Sequence, residues 1–210
     1  MTSIKHEWRK KEKHFYVPKS EPEIVIIPKF NFIIAEGEGS PYTDHFANCI
    51  TALYAMSYAI KMTLKKNEVK PDGYVDYTVY PLEGIYDLNE EAKKNFTGKI
   101  NKDDFVYQLM IRQPDFVDAR YYFKILEATK KKKPEIPLEA LRFEKITEGD
   151  CVQMLHIGSF DSEPQSFDEM EEFARLKNRG RTSKIHREIY LNDFRKVSPD
   201  KLKTVLRFSI

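Results

Sequence analysis

Apolar residues in this chain follow two periods, that of a strand and that of a helix, and the same succession of the two occurs twice. Residues 23–35 read EIVIIPKFNFIIA, a β-rich run closed by Gly37, Gly39 and Pro41, which predicts one strand. Over 43–65 the positions Phe46, Ile50, Leu53, Ile60 and Leu64 recur at helical spacing until Asn67, Pro71 and Gly73 end the pattern, which predicts a long helix. Strand-like runs at 74–86 and 104–112 flank a charged loop at 89–102. The order is β-α-β-β. A helical pattern at 116–129 and the basic, proline-marked segment KKKKPEIP then lead into a second pass: strand at 141–156, helix at 166–177, strands at 182–192 and 203–208. Ser166 and Glu169 have the spacing of a capping box, which places the start of the second helix there.

The predicted fold class is therefore α+β: tandem duplicated β-α-β-β modules with antiparallel sheets, helices on one face and a central ligand cleft where the modules join. Residues 1–20 read as an N-terminal extension and 21–210 as a single domain, with repeats at about 21–114 and 138–210 joined by a helix and a linker. The apolar stripes Phe46, Ile50, Leu53, Ile60 and Phe167, Met170, Phe173 are the expected helix undersides.

Composition narrows the function classes. The 35 basic and 33 acidic residues are mixed along the chain and leave a formal charge of +2, so no phosphate-binding footprint is present and nucleic acid is not expected. Cys49 and Cys151 lie far apart in apolar segments and read as two small core residues in a reducing, cytoplasmic setting. The start of the chain is charged, and no run approaches the roughly 18 apolar residues of a membrane span, so no membrane partner is expected. The five histidines show no close-pair spacing and no phosphate-cradling glycine loop occurs, so the expectation is no metal and no cofactor.

The candidate chemistry lies in KIHREIYLN. Strand alternation turns Ile185, Ile189 and Leu191 one way and His186, Glu188, Tyr190 and Asn192 the other. With the apolar side against the helices, the polar side brings a carboxylate, a phenol and an imidazole into the cleft. A solvated outer face is the plainer alternative for a strand glutamate. Tyr54 and Tyr58, at i and i+4 on the long helix, suit core packing or a binding wall. Tyr74, Tyr80 and Tyr86 would share one strand face, and so many phenols exceed what a core satisfies comfortably. Glu83 stands in the first repeat roughly where Glu188 stands in the second, although a register slip of one residue would turn it to the other face. His156 reads most simply as a satisfied histidine within a strand; together with Met154 it is also a candidate ligand contact.

The segments YVPKSEP, GEGSP, LYAMSYAIK, YPLEG, LMIRQPDFV, VQMLHIGSFDSE, HREIYLND and KLKTVLR resemble, in that order, the GyrI-like small-molecule-binding family, over nearly the whole chain from Tyr16. The resemblance implies tandem modules of the SHS2 type and a pocket whose central glutamate is here Glu188, caged by aromatic residues. It further implies a flat, hydrophobic aromatic ligand, and among stand-alone members a cofactor-independent hydrolysis of cyclopropane-bearing DNA-alkylating toxins. Glu188 would then activate water, with Tyr58 or Tyr190 donating to the substrate carbonyl and Tyr54, Tyr80, Glu83, Tyr86, Met154, His156 and His186 around the ligand. Relatives often carry tryptophan after PLEG where this chain has Ile85 and Tyr86, which bears on the size of the cage. The alternative is a non-catalytic protein that sequesters lipophilic cations, with Glu188 as the counter-charge. Some relatives bind DNA gyrase, a contact that the near-neutral charge does not support.

Overall fold

The structure is a computed structural model, and it describes residues 5–210. In chain order the elements are α1 (Trp8–Lys11), α2 (Lys13–Tyr16), β1 (Glu23–Ile27), β2 (Phe30–Glu38), α3 (Asp44–Lys66), β3 (Leu82–Leu88), α4 (Glu90–Lys94), β4 (Phe105–Gln113), α5 (Ala119–Lys132), β5 (Leu141–Ile146), β6 (Gly149–Ile157), α6 (Glu163–Leu176), β7 (His186–Tyr190) and β8 (Lys203–Ser209). The chain is α+β, and its strands pair antiparallel. It divides into two compact units. Among the described residues the first comprises 5–7, Phe30–Tyr80 and Asp87–Ile146; the second comprises Trp8–Lys29, Pro81–Tyr86 and Thr147–Ile210. Among the described residues no helix is long and apolar enough to cross a membrane.

In the first unit β2 runs between β4 and β5, with Ile33 opposite Ile111 on one side and Phe143 on the other. Helix α3 begins where Thr43 accepts a hydrogen bond from the Phe46 amide, a side-chain cap that satisfies one of the first-turn donors. Its expected stripe of Phe46, Ile50, Leu53 and Ile60 is buried, together with Cys49, Met56 and Leu64. The underside meets the sheet through Phe46 against Tyr107, with ring centroids 5.0 Å apart, and through Gln113 donating to Ser57 at 3.1 Å. Helix α5, capped by Asp118, stacks Tyr122 on Phe143 at 5.3 Å.

In the second unit the strand order is β1, β6, β8, β7, β3. One face of this sheet takes α6: Met170 and Ala174 are buried against Val152, Met154, Leu206 and Phe208, with Phe167 and Phe173 partly buried alongside. The other face carries buried charge. One row of paired positions runs Glu23, Gln153, Arg207, Arg187, Ile85. Arg187 and Arg207 stand directly opposite one another, a like-charge pairing that repels. Glu148 resolves it by accepting from Arg187 at 2.8 Å and from Arg207 at 3.1 Å, while Arg187 reaches Glu83 at 2.6 Å. Burial alone would raise the Glu148 carboxyl, but the two guanidiniums outweigh it and hold it below its ordinary value.

Residues from Trp8 onward back this face. Arg207 donates to the Phe15 carbonyl at 2.6 Å, Gln153 to the His14 carbonyl at 2.7 Å, and the Tyr16 hydroxyl reaches Glu83 at 3.4 Å. Trp8 and Tyr16 are buried against each other.

Four sequence-based assignments change. The run 23–35 is two strands: Pro28 has no amide to donate, and β1 pairs with β6 in the second unit while β2 serves the first. Pairing at 74–86 begins only at Leu82, just past Pro81, so Tyr74, Tyr80 and Tyr86 share no strand face; before it, Tyr77 forms an isolated bridge with His6 and Tyr74 packs on Phe116. The run 141–156 is two strands, with Gly149 at φ +73° entering β6, a left-handed conformation that suits glycine. Helix α6 starts at Glu163 with Pro164 in its first turn, so Ser166 is an interior residue and caps nothing.

Two outcomes follow. Arg187→Met leaves the buried Glu83 and Glu148 short of a counter-charge and should destabilise the fold by about 3–5 kcal/mol in urea titration; a loss under about 1 kcal/mol would contradict the bridging role. Burial pushes the Tyr107 and Tyr122 phenols up to about 12. Unfolded tyrosine titrates near about 10, so from about pH 10 to 12 the fold holds protons that the unfolded chain has lost, and stability falls as pH rises through that window. Urea midpoints at pH 9 and pH 11.5 measure this, with the lower midpoint expected at pH 11.5.

Candidate functional site

Alternation along β7 puts His186, Glu188 and Tyr190 on one face and Arg187 and Ile189 on the other. The pairing places Glu188 beside Gly84 of β3 and Leu206 of β8, and Leu206 beside Met154 of β6. This is the face that α6 covers, since Phe167 of α6 meets His186 edge-on at 4.8 Å. The expected orientation is therefore reversed. Arg187 and Ile189 lie on the face backed by the N-terminal segment, where burial of charge and apolar groups together is sustained by the arginine–glutamate network. Ile185 precedes the strand and is exposed.

Glu188 is 9% exposed and held at both oxygens. Tyr190 donates to Oε2 at 2.8 Å, and His186 Nε2 lies 3.1 Å from Oε1. The hydroxyls of Tyr86 and Tyr190 are 2.7 Å apart. A phenol donates one proton, so with Tyr190 committed to Glu188 it is Tyr86 that donates to Tyr190. Burial first, then the Glu188 charge and Tyr86, push the Tyr190 hydroxyl well above an ordinary phenol. It stays protonated at neutral pH and remains a donor. The Tyr86 ring also stacks on His186 at 5.8 Å and 24°.

More aromatic surface surrounds this group. Phe160 packs edge-on to Tyr190 at 6.0 Å, and Phe194 lies 5.6 Å from the same ring. Gly84 makes the arrangement possible. A Cβ there would fall 2.6 Å from Tyr86 Cε2, so only glycine lets the Tyr86 ring lie back across the strand beside Glu188.

The structure thus brings together four of the sequence-predicted residues: Tyr86, His186, Glu188 and Tyr190. Glu83 pairs with Ile189 and not with Glu188, so it is on the opposite face, 1% exposed and bound to Arg187; the one-residue offset between the repeats decides this. Met154 is a core residue under Met170. His156 is satisfied by serines, with Nδ1 2.9 Å from Ser166 Oγ and Nε2 3.1 Å from Ser162 Oγ. In the first unit Tyr54 and Tyr58 stack on each other along α3 at 6.3 Å, with Tyr58 exposed, while Tyr80 is buried against the Arg112 guanidinium at 4.6 Å. Sequence reasoning missed Phe160 and Phe194 as ring neighbours of Tyr190, and Phe167 as a ring neighbour of His186. Phe160 and Phe194 fall in the GSFDSE and YLNDF segments, whose aromatics flanked by turn residues were the available signal. No group of three or more His, Cys, Asp or Glu residues is placed to hold a metal ion among the described residues, and both cysteines are free and buried.

Residues 20–210 match the model of the GyrI-like small molecule binding domain. A hydrolase from Listeria innocua is similar in structure, with 34% identity and a TM-score of 0.86 over 97% of this chain and 98% of that one. An uncharacterized conserved protein from Listeria innocua, 36% identical, matches over the same shares with a TM-score of 0.86. The C-terminal domain of EcmrR shares the fold at 11% identity and a TM-score of 0.53, covering 90% of this chain and 96% of that domain. Among curated proteins none matches.

The Gly84 contact is testable by a double-mutant cycle. Gly84→Ala should cost about 1–3 kcal/mol in urea denaturation, because the Tyr86 ring is held from moving by Tyr190 and His186. The same change in a Tyr86→Ala background should cost much less, the difference being the coupling between the two positions. Equal costs in both backgrounds would place the ring elsewhere.

Proposed function

Because the chain belongs to the GyrI-like small-molecule-binding family, we propose that it binds flat aromatic compounds at the Glu188 cluster and hydrolyses cyclopropane-bearing electrophiles there. One observation carries the reading: a carboxylate is gripped at both oxygens, by His186 and by Tyr190, and the Tyr190 ring packs against Phe160 and Phe194. Similarity to a hydrolase supports the chemical half of it. Flat rings favour flat ligands, since stacking and edge contacts each contribute about 0.5–1.5 kcal/mol beyond area burial.

In the proposed reaction Glu188 uses a remaining lone pair to take a proton from water as the water oxygen attacks a ring carbon. The strained C–C bond breaks, and its electron pair moves to a conjugated carbonyl, which becomes a phenolate. Once Glu188 is protonated it no longer draws the Tyr190 hydroxyl, whose proton is then free to bond the developing oxyanion. Ring strain already lowers the barrier, so orientation and one general base, worth about 10²–10⁴ in rate, are sufficient. Cytoplasmic xenobiotic detoxification is the setting this chemistry suits.

Glu188→Gln keeps the shape but cannot accept a proton. It should retain most of the affinity for a neutral aromatic ligand and lose about 10²-fold or more of single-turnover hydrolysis of a spirocyclopropyl dienone, followed by mass spectrometry as the gain of one water. Retained turnover with lost affinity for a lipophilic cation would replace the reaction with sequestration, Glu188 then serving as counter-charge.

A further inference from the structure

The contacts around Glu188 close on themselves. Tyr190 holds Oε2 and His186 holds Oε1. Both of these holders are in turn fixed by one residue, Tyr86, whose hydroxyl bonds Tyr190 at 2.7 Å and whose ring stacks on His186 at 5.8 Å. The circuit therefore runs Tyr86, Tyr190, Glu188, His186 and back to Tyr86. Tyr86 is itself nearly inaccessible at 3% exposure, and it lies back over Gly84 on the strand paired with Glu188. Phe167 braces the outer side of the imidazole at 4.8 Å and carries the Arg181 guanidinium at 5.1 Å, which is paired with Glu171.

A carboxylate has four lone-pair sites on two oxygens, and its value as a base depends on which of them faces the reacting water. An unrestrained glutamate samples a broad terminal torsion. Donors on both oxygens remove that freedom and leave defined lone pairs. Because Tyr86 supports both donors, loosening it loosens both.

We propose that Tyr86 and His186 are positioning residues that close this circuit and fix the Glu188 carboxylate, acting through Glu188 and not as walls of the ligand cage. The assignment rests on the hydrolytic reading for its kinetic consequence, and on geometry alone for the carboxylate orientation. It separates two properties of the imidazole. The flat ring fills the space between Tyr86 and Phe167, while Nε2 supplies the hydrogen bond. Phenylalanine at 186 keeps the first and loses the second; glutamine keeps a nitrogen donor within reach of the carboxylate.

The experiment compares wild type, His186→Phe, His186→Gln, Tyr86→Phe and the Tyr86→Phe/His186→Phe double variant. Each is assayed for hydrolysis of a spirocyclopropyl dienone, for equilibrium binding of a neutral planar aromatic probe, and for urea stability. His186→Phe should lower kcat about tenfold or more with KM and probe affinity little changed, and His186→Gln should recover most of that loss. Tyr86→Phe should lower kcat in the same manner, and the double variant should lose less than the product of the single losses, because the two changes disable one device. Equal losses in His186→Phe and His186→Gln, or losses confined to probe affinity, would overturn the proposal and make these residues ligand contacts. Wild-type protein without turnover would sink the hydrolytic reading instead. Crystal structures of the two His186 variants would then decide the positioning claim, which requires the Glu188 carboxylate rotated in His186→Phe and retained in His186→Gln.

Discussion

Two arginines face each other across neighbouring strands in the interior of the second unit, and the rest of that unit depends on how their repulsion is relieved. Arg187 and Arg207 occupy paired positions on β7 and β8, both nearly inaccessible. Glu148 bonds both, Glu83 takes the outer side of Arg187, and Gln153 and the Phe15 carbonyl take the outer side of Arg207. A buried charge without its partner costs several kcal/mol, so this set tolerates one register only. Sliding β7 by one residue would bring Glu188 into the row of arginines and turn Arg187 toward α6. The network thus fixes which face Glu188 occupies, from behind, without touching the candidate site.

The two faces of the sheet divide their chemistry accordingly. Behind, charged groups of opposite sign pair with one another and are tied down by main-chain carbonyls of the N-terminal segment, so that Trp8–Lys29 belongs to this unit. In front, Glu188 is held by the Tyr190 hydroxyl and the His186 imidazole, whose rings pack against further aromatic residues. The phenol of Tyr190 and the imidazole of His186 each take one of its oxygens, so its orientation is set by contacts that the buried arginines do not share. Gly84 is the small residue on which this front face turns, because the space a side chain would fill is occupied by the Tyr86 ring.

Family membership and local geometry support the reading at different depths. The match over 20–210 establishes a GyrI-like small-molecule-binding domain. The carboxylate and the paired phenols on β3 and β7 are where we propose that this capacity resides, with proton abstraction as the proposed chemistry. Tyr190 is suited to a donor role by the same burial that keeps its proton in place.

Periodicity in the sequence determined the α+β class, the long helix with its buried stripe from Phe46 to Leu64, and the alternation that sets His186, Glu188 and Tyr190 apart from Arg187 and Ile189. These are local properties, dictated by the 3.6-residue and 2-residue repeats of the backbone itself. The neighbours of those residues were not legible. Strand alternation says that two sets of side chains part company, but not which set meets a helix, and the apolar set of β7 proved to lie with the charges. Pro28 split one apparent strand between two units, and an offset of one residue put Glu83 behind the sheet instead of beside Glu188. Phe160 and Phe194 reach Tyr190 from loops that no periodic pattern marks. Tertiary structure alone decided these points, because pairing register and the closure of buried charges depend on residues such as Arg187 and Arg207 that are distant in sequence and meet only when the sheet forms.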